Sequence, residues 1–193
     1  MEKIVVIKPS NKGLKEYAEK ALSFFDSYRN KEIIVARGED IPFIVEKLAK
    51  QKIKVFGIVG EDLFKEYTLD KESSVLFIVK KIEWNDKRAL LGKPVLCLLG
   101  PSGKNIDSML QKIKVCINAK YKNISNNYLK TLEAKGFILE KVYVNGQTEN
   151  FIGKIADLAI DIVYSGSTIK ELGISIYDKI FSSDFIIIGG KND

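Results

Sequence analysis

The stretch Asp157-Leu-Ala-Ile-Asp161-Ile-Val-Tyr-Ser165-Gly166-Ser167-Thr168-Ile-Lys-Glu-Leu-Gly173 decides how this chain is organised. It predicts a buried strand that ends in a small, hydroxyl-bearing turn and passes directly into a helix. Gly166 lets the backbone approach a ligand, and the first helical N–H groups, at Ser167 and Thr168, attract an anion. The hydroxyls of Ser165, Ser167 and Thr168 add donors, and Asp161 can accept hydrogen bonds from sugar hydroxyls. The combination indicates recognition of a phosphorylated ribose.

The same letters are also typical of an ordinary turn and helix cap, because serine and threonine are common at helix starts. A Walker A loop is excluded, since the Gly-x-x-x-x-Gly-Lys-Ser/Thr pattern does not occur in the chain. The motif alone therefore leaves a phosphate site and a plain cap as alternatives.

Outward from this stretch, strand and helix patterns alternate along the chain. In the first part we predict strands at 3–8, 32–37 and 54–60 and helices at 12–28 and 40–50. In the second part, from about Gly92, we predict strands at 95–99, 114–118, 137–144 and 158–163 and helices at 105–111, 125–134 and 150–155. Two final strands, at 174–177 and 184–188, are expected to return to the first part.

This alternation predicts an α/β protein with two lobes and mixed, mainly parallel sheets. We place lobe I at 1–92 and 175–193 and lobe II at 93–174, with a cleft between them and crossings near 90–98 and 170–178. Ligands of such sheets bind beyond the carboxyl ends of the strands, where the polar segments of this chain fall.

Five blocks of sequence, spread along nearly the whole chain, resemble motifs of the ATP phosphoribosyltransferase family and occur in the same order as in that family. Its members catalyse the first step of histidine biosynthesis. The blocks are Lys12-Gly13-Leu14, Arg37 to Pro42, Gly57 to Leu63, Lys120 to Ser125, and Glu149 to Gly173, the last of which is similar to the family's phosphoribosyl-diphosphate signature. The resemblance independently implies the type II periplasmic-binding-protein architecture, with its two lobes.

The resemblance implies a division of roles among the polar residues. Phosphoribosyl diphosphate would be bound by Glu149, Asp161, Ser165, Gly166, Ser167 and Thr168. ATP would be bound by Lys8, Lys12, Gly13, Gly57, Gly60, Asp62, Lys120 and Tyr121. Asp161 and Arg37 would be the catalytic residues, with Arg37 a bidentate donor to an ATP phosphate.

Structural explanations stand beside several of these roles. The lysines and Arg37 are also consistent with an exposed surface. Gly57 and Gly60 are equally consistent with close strand packing and a tight turn. Asp62 suits the positive end of a helix dipole. Tyr121 is as consistent with packing as with stacking on a base.

Three departures from the family pattern bear on activity. Pro9-Ser-Asn-Lys12-Gly13-Leu14 lacks the arginine that usually follows the glycine, Val55 replaces a usual aspartate, and the interval from Glu149 to Gly153 is shorter than usual. One or two substrate contacts are therefore expected to be missing.

Composition limits the chemistry further. The 193 residues contain no histidine, which excludes histidine-based nucleophilic catalysis and histidine metal centres. The net charge is +6, but the lysine-rich groups lack the interleaved aromatics of a nucleic-acid platform. Cys97 and Cys116 lie in apolar runs and are expected to be buried free thiols, and no apolar run is long enough to span a membrane. We expect a cytoplasmic protein with no nucleic-acid partner and no metal site of its own.

As the resemblance implies, the expected reaction is attack of the adenine N1 of ATP on phosphoribosyl diphosphate, with Mg²⁺ carried mainly by the substrate. The chain ends at Asp193, soon after its last apolar run, so the short form of the enzyme is expected. That form implies a homodimer and a separate regulatory subunit similar to histidyl-tRNA synthetase, which confers inhibition by histidine. The alternatives are a catalytically inactive paralogue or a small-molecule sensor of the same fold, and a basic nucleic-acid binder.

Overall fold

The computed structural model describes residues 2–8, 12–27 and 30–191, which form two α/β units. Unit 1 comprises residues 1–86 together with 184–193, and unit 2 comprises residues 87–183. Elements are numbered along the whole chain. Unit 1 contains β1 (Glu2–Ile7), α1 (Lys12–Leu22), β2 (Lys31–Ala36), α2 (Ile41–Lys50), β3 (Val55–Gly60), α3 (Glu61–Leu69), β4 (Leu76–Ile82) and β10 (Phe185–Gly190).

The sheet of unit 1 has the strand order β2-β1-β3-β10-β4. The strands β2, β1 and β3 are parallel, whereas β10 pairs antiparallel with both β3 and β4. The parallel strands are joined through α1 and α2, which is the connection that parallel pairing requires. Their carboxyl ends therefore lie at one edge of the sheet, where Lys8 and Arg37 follow β1 and β2.

Helix α2 packs directly on β3 because Gly57 has no side chain. A Cβ atom at Gly57 would lie 2.8 Å from the side chains of both Ile41 and Val45. Ile41 and Val45 are fully buried in this contact. The packing alone accounts for a glycine at this position.

A buried carboxylate joins α2 to α3 and the turn after it. Glu46 is only 4% exposed and accepts a hydrogen bond from the Tyr67 hydroxyl. Its oxygens also lie 2.9 Å from the Lys71 amine and 3.0 Å from the Lys50 amine. Burial alone would raise the pKa of Glu46, but the hydrogen bonds from Tyr67, Lys71 and Lys50 outweigh it and lower the pKa to about 2.

This cluster predicts how unit 1 responds to acid. The pKa of Glu46 is lowered from 4.5 to about 2 on folding, so its stabilisation is complete above pH 4.5 and is lost as the pH falls towards 2. Glu46→Gln should lower the free energy of unfolding at pH 7 by about 2 kcal/mol, or roughly 4–8 °C in melting temperature. It should also flatten the decline between pH 5 and 2. Melting temperatures of the parent, Glu46→Gln and the exposed control Glu72→Gln, measured between pH 7 and pH 2, test this. If the melting temperatures of all three proteins fall in parallel with pH, the prediction is wrong.

Unit 2 contains β5 (Val95–Pro101), β6 (Lys112–Asn118), α4 (Lys122–Glu133), β7 (Ile138–Val144), β8 (Leu158–Val163), α5 (Ser167–Glu171) and β9 (Ile174–Ser182). Its sheet has the order β7-β6-β8-β5-β9. The first three strands are parallel, and β5 is antiparallel to both of its neighbours. The predicted buried thiols lie in this sheet, and burial raises the pKa of Cys97 to about 12, so the thiol is inert.

The α/β class and the division into two units are confirmed, but the predicted boundaries are wrong by several residues. We placed 175–193 in lobe I, whereas β9 pairs along the whole of β5, from Val95 opposite Ser182 to Pro101 opposite Ile174, and belongs to unit 2. Only β10 returns to unit 1. At the other boundary, residues 87–92 belong to unit 2 rather than to lobe I.

Other differences concern the sheets and the short helices. Each sheet contains two parallel and two antiparallel pairings, so the sheets are mixed but not mainly parallel. Strand β4 was not predicted. The helices expected at 105–111 and 150–155 are single 3₁₀ turns at Ile106–Ser108 and Glu149–Phe151. Within the described residues, no helix is both long and apolar enough to cross a membrane.

Candidate functional site

The carboxyl edge of the sheet in unit 2 gathers most of the polar residues that the sequence singled out. Because β7, β6 and β8 are parallel, the segments that follow them lie along one edge. These segments are Gly146 to Glu149 after β7, Asn118 to Tyr121 at the end of β6, and Ser165 to Thr168 after β8.

Asp161 lies near the end of β8, is 7% exposed, and is held by hydrogen bonds to both of its oxygens. Oδ1 accepts from the Asn118 side-chain amide at 3.1 Å and from the Ile162 N–H at 2.8 Å. Oδ2 accepts from the Thr148 N–H at 2.8 Å and lies 3.1 Å from the Thr148 hydroxyl. The carboxylate is thus fixed in place by the protein itself.

The Thr148 hydroxyl has a choice of acceptors. It lies 3.1 Å from the Ile160 carbonyl and the same distance from Asp161 Oδ2, yet it carries a single proton. When that proton points to the carbonyl, Oδ2 has a free lone pair. Asp161 can therefore accept one hydroxyl from a ligand without losing its backbone donors.

Glu149 lies beside Asp161 in a 3₁₀ turn and is 9% exposed. Its Oε2 atom is buried and has no hydrogen-bond partner among the described residues. Burial raises the pKa of Glu149, and the charge of neighbouring Asp161 raises it further. A buried oxygen without a donor costs free energy, and a ligand hydroxyl would relieve that cost only if the Glu149 side chain turned Oε2 into the cavity.

Both carboxylates face the same cavity of about 170 Å³. The predicted residues that line it are Glu149, Asp161, Ser165, Gly166 and Thr168. The remaining lining residues are Leu99, Gln147, Ile162, Val163, Tyr164 and Ile169. Ser167, the last member of the predicted set, is linked to the rim because its hydroxyl lies 2.9 Å from the Ser165 hydroxyl. The structure thus brings together the whole predicted sugar-phosphate set.

The turn at Gly166 has a backbone geometry that favours glycine. Its φ is +75°, in the left-handed region, and it directly precedes the five-residue helix α5. A Cβ atom there would lie 2.7 Å from Leu90 Cδ2. The close neighbour is thus a protein side chain, so the backbone angle and Leu90 together account for a glycine at this position.

The segment after β6 supplies the other predicted residues of unit 2. The Lys120 side chain is exposed, and its N–H donates to Asn118 Oδ1 at 3.2 Å. Tyr121 is 7% exposed, which favours packing over stacking on a base.

The predicted residues of unit 1 divide into exposed and buried groups. Lys8 and Arg37 are exposed at the carboxyl edge of their sheet, and Gly60 and Asp62 are buried where β3 passes into α3. Gly13 is buried in α1. Lys12 begins α1, and its side chain lies outside the described part of the chain. The proposed ATP residues come from both units, and their convergence on one ligand stays a prediction.

Sequence reasoning missed Asn118 and Thr148, the two side chains that hold Asp161. Asn118 is the polar residue that ends an apolar strand, which is a weak signal. Thr148 directly precedes Glu149, but the family pattern in this segment concerns the spacing from Glu149 to Gly153 and gives no signal for the threonine. In the part of the chain that the structure describes, no three His, Cys, Asp or Glu side chains form a group that could hold a metal ion.

Comparisons with known proteins find relatives over most of the chain. The family described as "HisG: ATP phosphoribosyltransferase" matches residues 37–193. An ATP phosphoribosyltransferase from Sulfurisphaera tokodaii is 30% identical over 177 residues, covering 90% of this chain and 55% of its own. The chain spans little more than half the length of the curated relatives it matches first.

Solved structures show the same fold. One is the ATP phosphoribosyl transferase (HisG:HisZ) complex from Thermotoga maritima, with a TM-score of 0.69 at 21% identity over 98% of this chain and 88% of that one. Another is the periplasmic aliphatic sulphonate binding protein SsuA from Escherichia coli, with a TM-score of 0.60 at 13% identity over 98% of this chain and 61% of that one. The two-unit architecture is therefore of the periplasmic-binding-protein type.

Proposed function

Because this chain belongs to the ATP phosphoribosyltransferase family, we propose that it transfers the phosphoribosyl group of phosphoribosyl diphosphate to the adenine N1 of ATP. The products are phosphoribosyl-ATP and diphosphate, and the reaction is the first step of histidine biosynthesis. The observation that carries the proposal is the single cavity that joins Glu149 and Asp161 to Ser165, Gly166 and Thr168. One carboxylate pair and one hydroxyl-rich turn are what a ribose carrying a 5′-phosphate requires.

The turn at residues 165–168 binds the 5′-phosphate in this proposal. The hydroxyls of Ser165, Ser167 and Thr168 and the N–H groups around Gly166 offer several donors within a short span. Ser165 and Ser167 are exposed, and they contact each other through a hydroxyl hydrogen bond of 2.9 Å and a longer N–H contact of 3.4 Å. An anion would therefore gain donors without breaking a buried network.

The two carboxylates bind the ribose hydroxyls, but not equally. Glu149 lines the cavity, but its Oε2 atom has no donor among the described residues and no exposed surface, so the side chain must turn into the cavity before Oε2 accepts a ribose hydroxyl. Asp161 is already held by the protein and accepts a second hydroxyl once the Thr148 proton turns to Ile160. The negative charge of Asp161 also stabilises positive charge that develops on the sugar during transfer.

The chemistry asks little of the protein as an acid or a base. The adenine ring is its own nucleophile, so the main tasks are to position two substrates and to stabilise charge. We assign Lys8, Arg37 and Lys120, which are exposed at the carboxyl edges of the two sheets, to the phosphates of ATP. The missing arginine after Gly13 and the presence of Val55 leave unit 1 with fewer of the polar residues that the family pattern carries.

Mg²⁺ enters the proposal with the substrate. Bound to the substrate, Mg²⁺ would supply positive charge for the departing diphosphate, and this ion usually keeps water and phosphate oxygens as ligands. The donor set of the cavity fits this arrangement, because it offers two carboxylates and no further acidic or histidine ligand.

The partners are proposed on the same basis. The Thermotoga chain that shares this fold is part of a HisG:HisZ complex. We propose a homodimer that works with a separate regulatory subunit in the cytoplasm, where ATP is available. Inhibition by histidine would then require that subunit. The alternative of a catalytically inactive sensor of the same fold rests only on two departures from the family pattern, Val55 and the missing arginine after Gly13.

An assay with ATP, phosphoribosyl diphosphate and Mg²⁺ tests the proposal, with and without a regulatory subunit. We expect the parent chain to form phosphoribosyl-ATP and Glu149→Gln to bind phosphoribosyl diphosphate at least tenfold more weakly. Because folding raises the pKa of Glu149, its charged form costs stability at neutral pH, and the neutral amide removes that cost. The melting temperature of Glu149→Gln should therefore equal or exceed that of the parent.

Exposed Glu171→Gln, on α5 in the same unit, is the matched control and should change neither quantity. A chain that binds one nucleotide but makes no product with the subunit present would be a sensor. A chain that binds neither substrate would overturn the proposal.

A further inference from the structure

Asn118 connects three strand ends through a single side chain. Resting on the proposed function, we infer that Asn118 is a positioning residue, which sets the place of both ribose-binding carboxylates without touching the ribose. It is absent from the lining of the cavity, so it acts through the residues that it holds.

The amide of Asn118 donates two hydrogen bonds. Its nitrogen lies 3.1 Å from Asp161 Oδ1 on β8 and 3.0 Å from the Gly146 carbonyl, which follows β7. Its oxygen accepts from the Lys120 N–H at 3.2 Å, which fixes the orientation of the amide. Because Asn118 itself ends β6, one carboxamide links the carboxyl ends of three neighbouring parallel strands.

The same link determines where Glu149 lies. The segment from Gly146 to Thr148 is fastened at both ends, at Gly146 by Asn118 and at Thr148 by Asp161. Glu149 is the next residue along the chain. Without the Asn118 amide, one fastening is lost completely and the other depends on a carboxylate that has itself lost a donor.

Water is a poor substitute for the amide beside Asp161. Asn118 is 8% exposed, and Asp161 and Thr148 are 7% and 0% exposed. The Asp161 oxygen that loses the Asn118 donor is buried and is expected to move towards another donor. Gly146 is exposed, so its carbonyl can bind water instead, but the segment after β7 then loses its link to β6. These changes would misplace the two ribose acceptors, while the exposed turn at 165–168 would keep its phosphate donors.

The test compares Asn118→Ala and Asn118→Asp with the parent. Asparagine and aspartate have nearly the same shape, and aspartate can still accept from the Lys120 N–H. It cannot donate, however, and it places a second negative charge beside Asp161. The control is Asn126→Ala, which removes an amide of α4 that accepts from the Tyr143 hydroxyl at 2.8 Å, among residues that do not line the cavity.

Titration calorimetry with ribose 5-phosphate and with inorganic phosphate separates sugar binding from phosphate binding. For Asn118→Ala we expect affinity for ribose 5-phosphate to fall by about tenfold or more, and affinity for inorganic phosphate to stay within about twofold. Asn118→Asp should lose more affinity for ribose 5-phosphate than Asn118→Ala. In the assay, Asn118→Asp keeps an acceptor for the Lys120 N–H, so the KM for phosphoribosyl diphosphate should rise while the KM for ATP is unchanged.

Equal weakening of both ligands would show that Asn118 only supports the fold, and unchanged binding of ribose 5-phosphate would show that it positions nothing. Either result overturns the inference while leaving the proposed function intact. If Asn118→Asp does not fold, Asn118→Ala decides alone. A parent chain that binds neither ribose 5-phosphate nor phosphoribosyl diphosphate would instead overturn the proposed function, and the inference with it.

Discussion

Asp161→Asn should abolish measurable binding of phosphoribosyl diphosphate and also destabilise unit 2. The amide group that replaces one oxygen must face donors in either orientation. On one side are the Ile162 N–H and the Asn118 amide, and on the other the Thr148 N–H and hydroxyl. Opposed donors in a buried site should cost about 3 kcal/mol, or roughly 6–12 °C in melting temperature.

Asp157→Asn is the matched control because Asp157, directly before the same strand, accepts from the Lys114 N–H at 2.7 Å in an exposed setting. Asp157→Asn should lower the melting temperature by less than a third of the decrease expected for Asp161→Asn, and it should leave the binding of phosphoribosyl diphosphate unchanged. Thermal melts and calorimetric titrations of both variants test this. A fully stable Asp161→Asn protein that binds normally would remove Asp161 from the site.

Gly166→Val should weaken the binding of phosphoribosyl diphosphate at least a hundredfold. The residue has a φ of +75°, which β-branched side chains adopt at considerable cost, and the first added carbon would lie 2.7 Å from Leu90. Either the turn or Leu90 must shift. The hydroxyls and N–H groups of residues 165–168 would then no longer converge on one phosphate.

Gly173→Val separates this effect from backbone strain in general. Gly173 has a φ of +64° at the other end of α5, but a Cβ there would meet no atom within 4 Å, and the residue does not line the cavity. Its valine variant should lose stability without losing affinity. If both variants bind the substrate equally well, the turn at Gly166 is only a helix cap.

The sequence predicts the ligand turn well because its information is local. Asp161, Ser165, Gly166 and Thr168 lie within eight positions, and the strand-turn-helix pattern places them together. The residues that support them come from farther away, since Thr148 is 13 positions and Asn118 43 positions from Asp161. Leu90 approaches Gly166 from 76 positions away. No pattern in one sequence reports such contacts.

The errors in the fold have a related cause. The five central residues of β4 are all exposed, so the strand lacks the alternation that marks a half-buried strand. The pattern at 174–177 correctly indicates a strand, but the sequence of a strand does not show which other strand it pairs with. The pairing of β9 with β5 rather than with unit 1 depends on the length and direction of the connection.

The position of β10 in unit 1 bears on the order in which the chain folds as it is synthesised. This strand comes from residues 185–190, yet it lies inside the sheet, between β3 and β4, and both neighbours pair with it. All five strands of unit 2 are translated before it. On the ribosome, unit 2 can therefore complete its sheet first, whereas β4 must wait about a hundred residues for a partner. During that interval Phe77, Ile78 and Val79 of β4 lack their partner strand and present an apolar edge that a chaperone can protect.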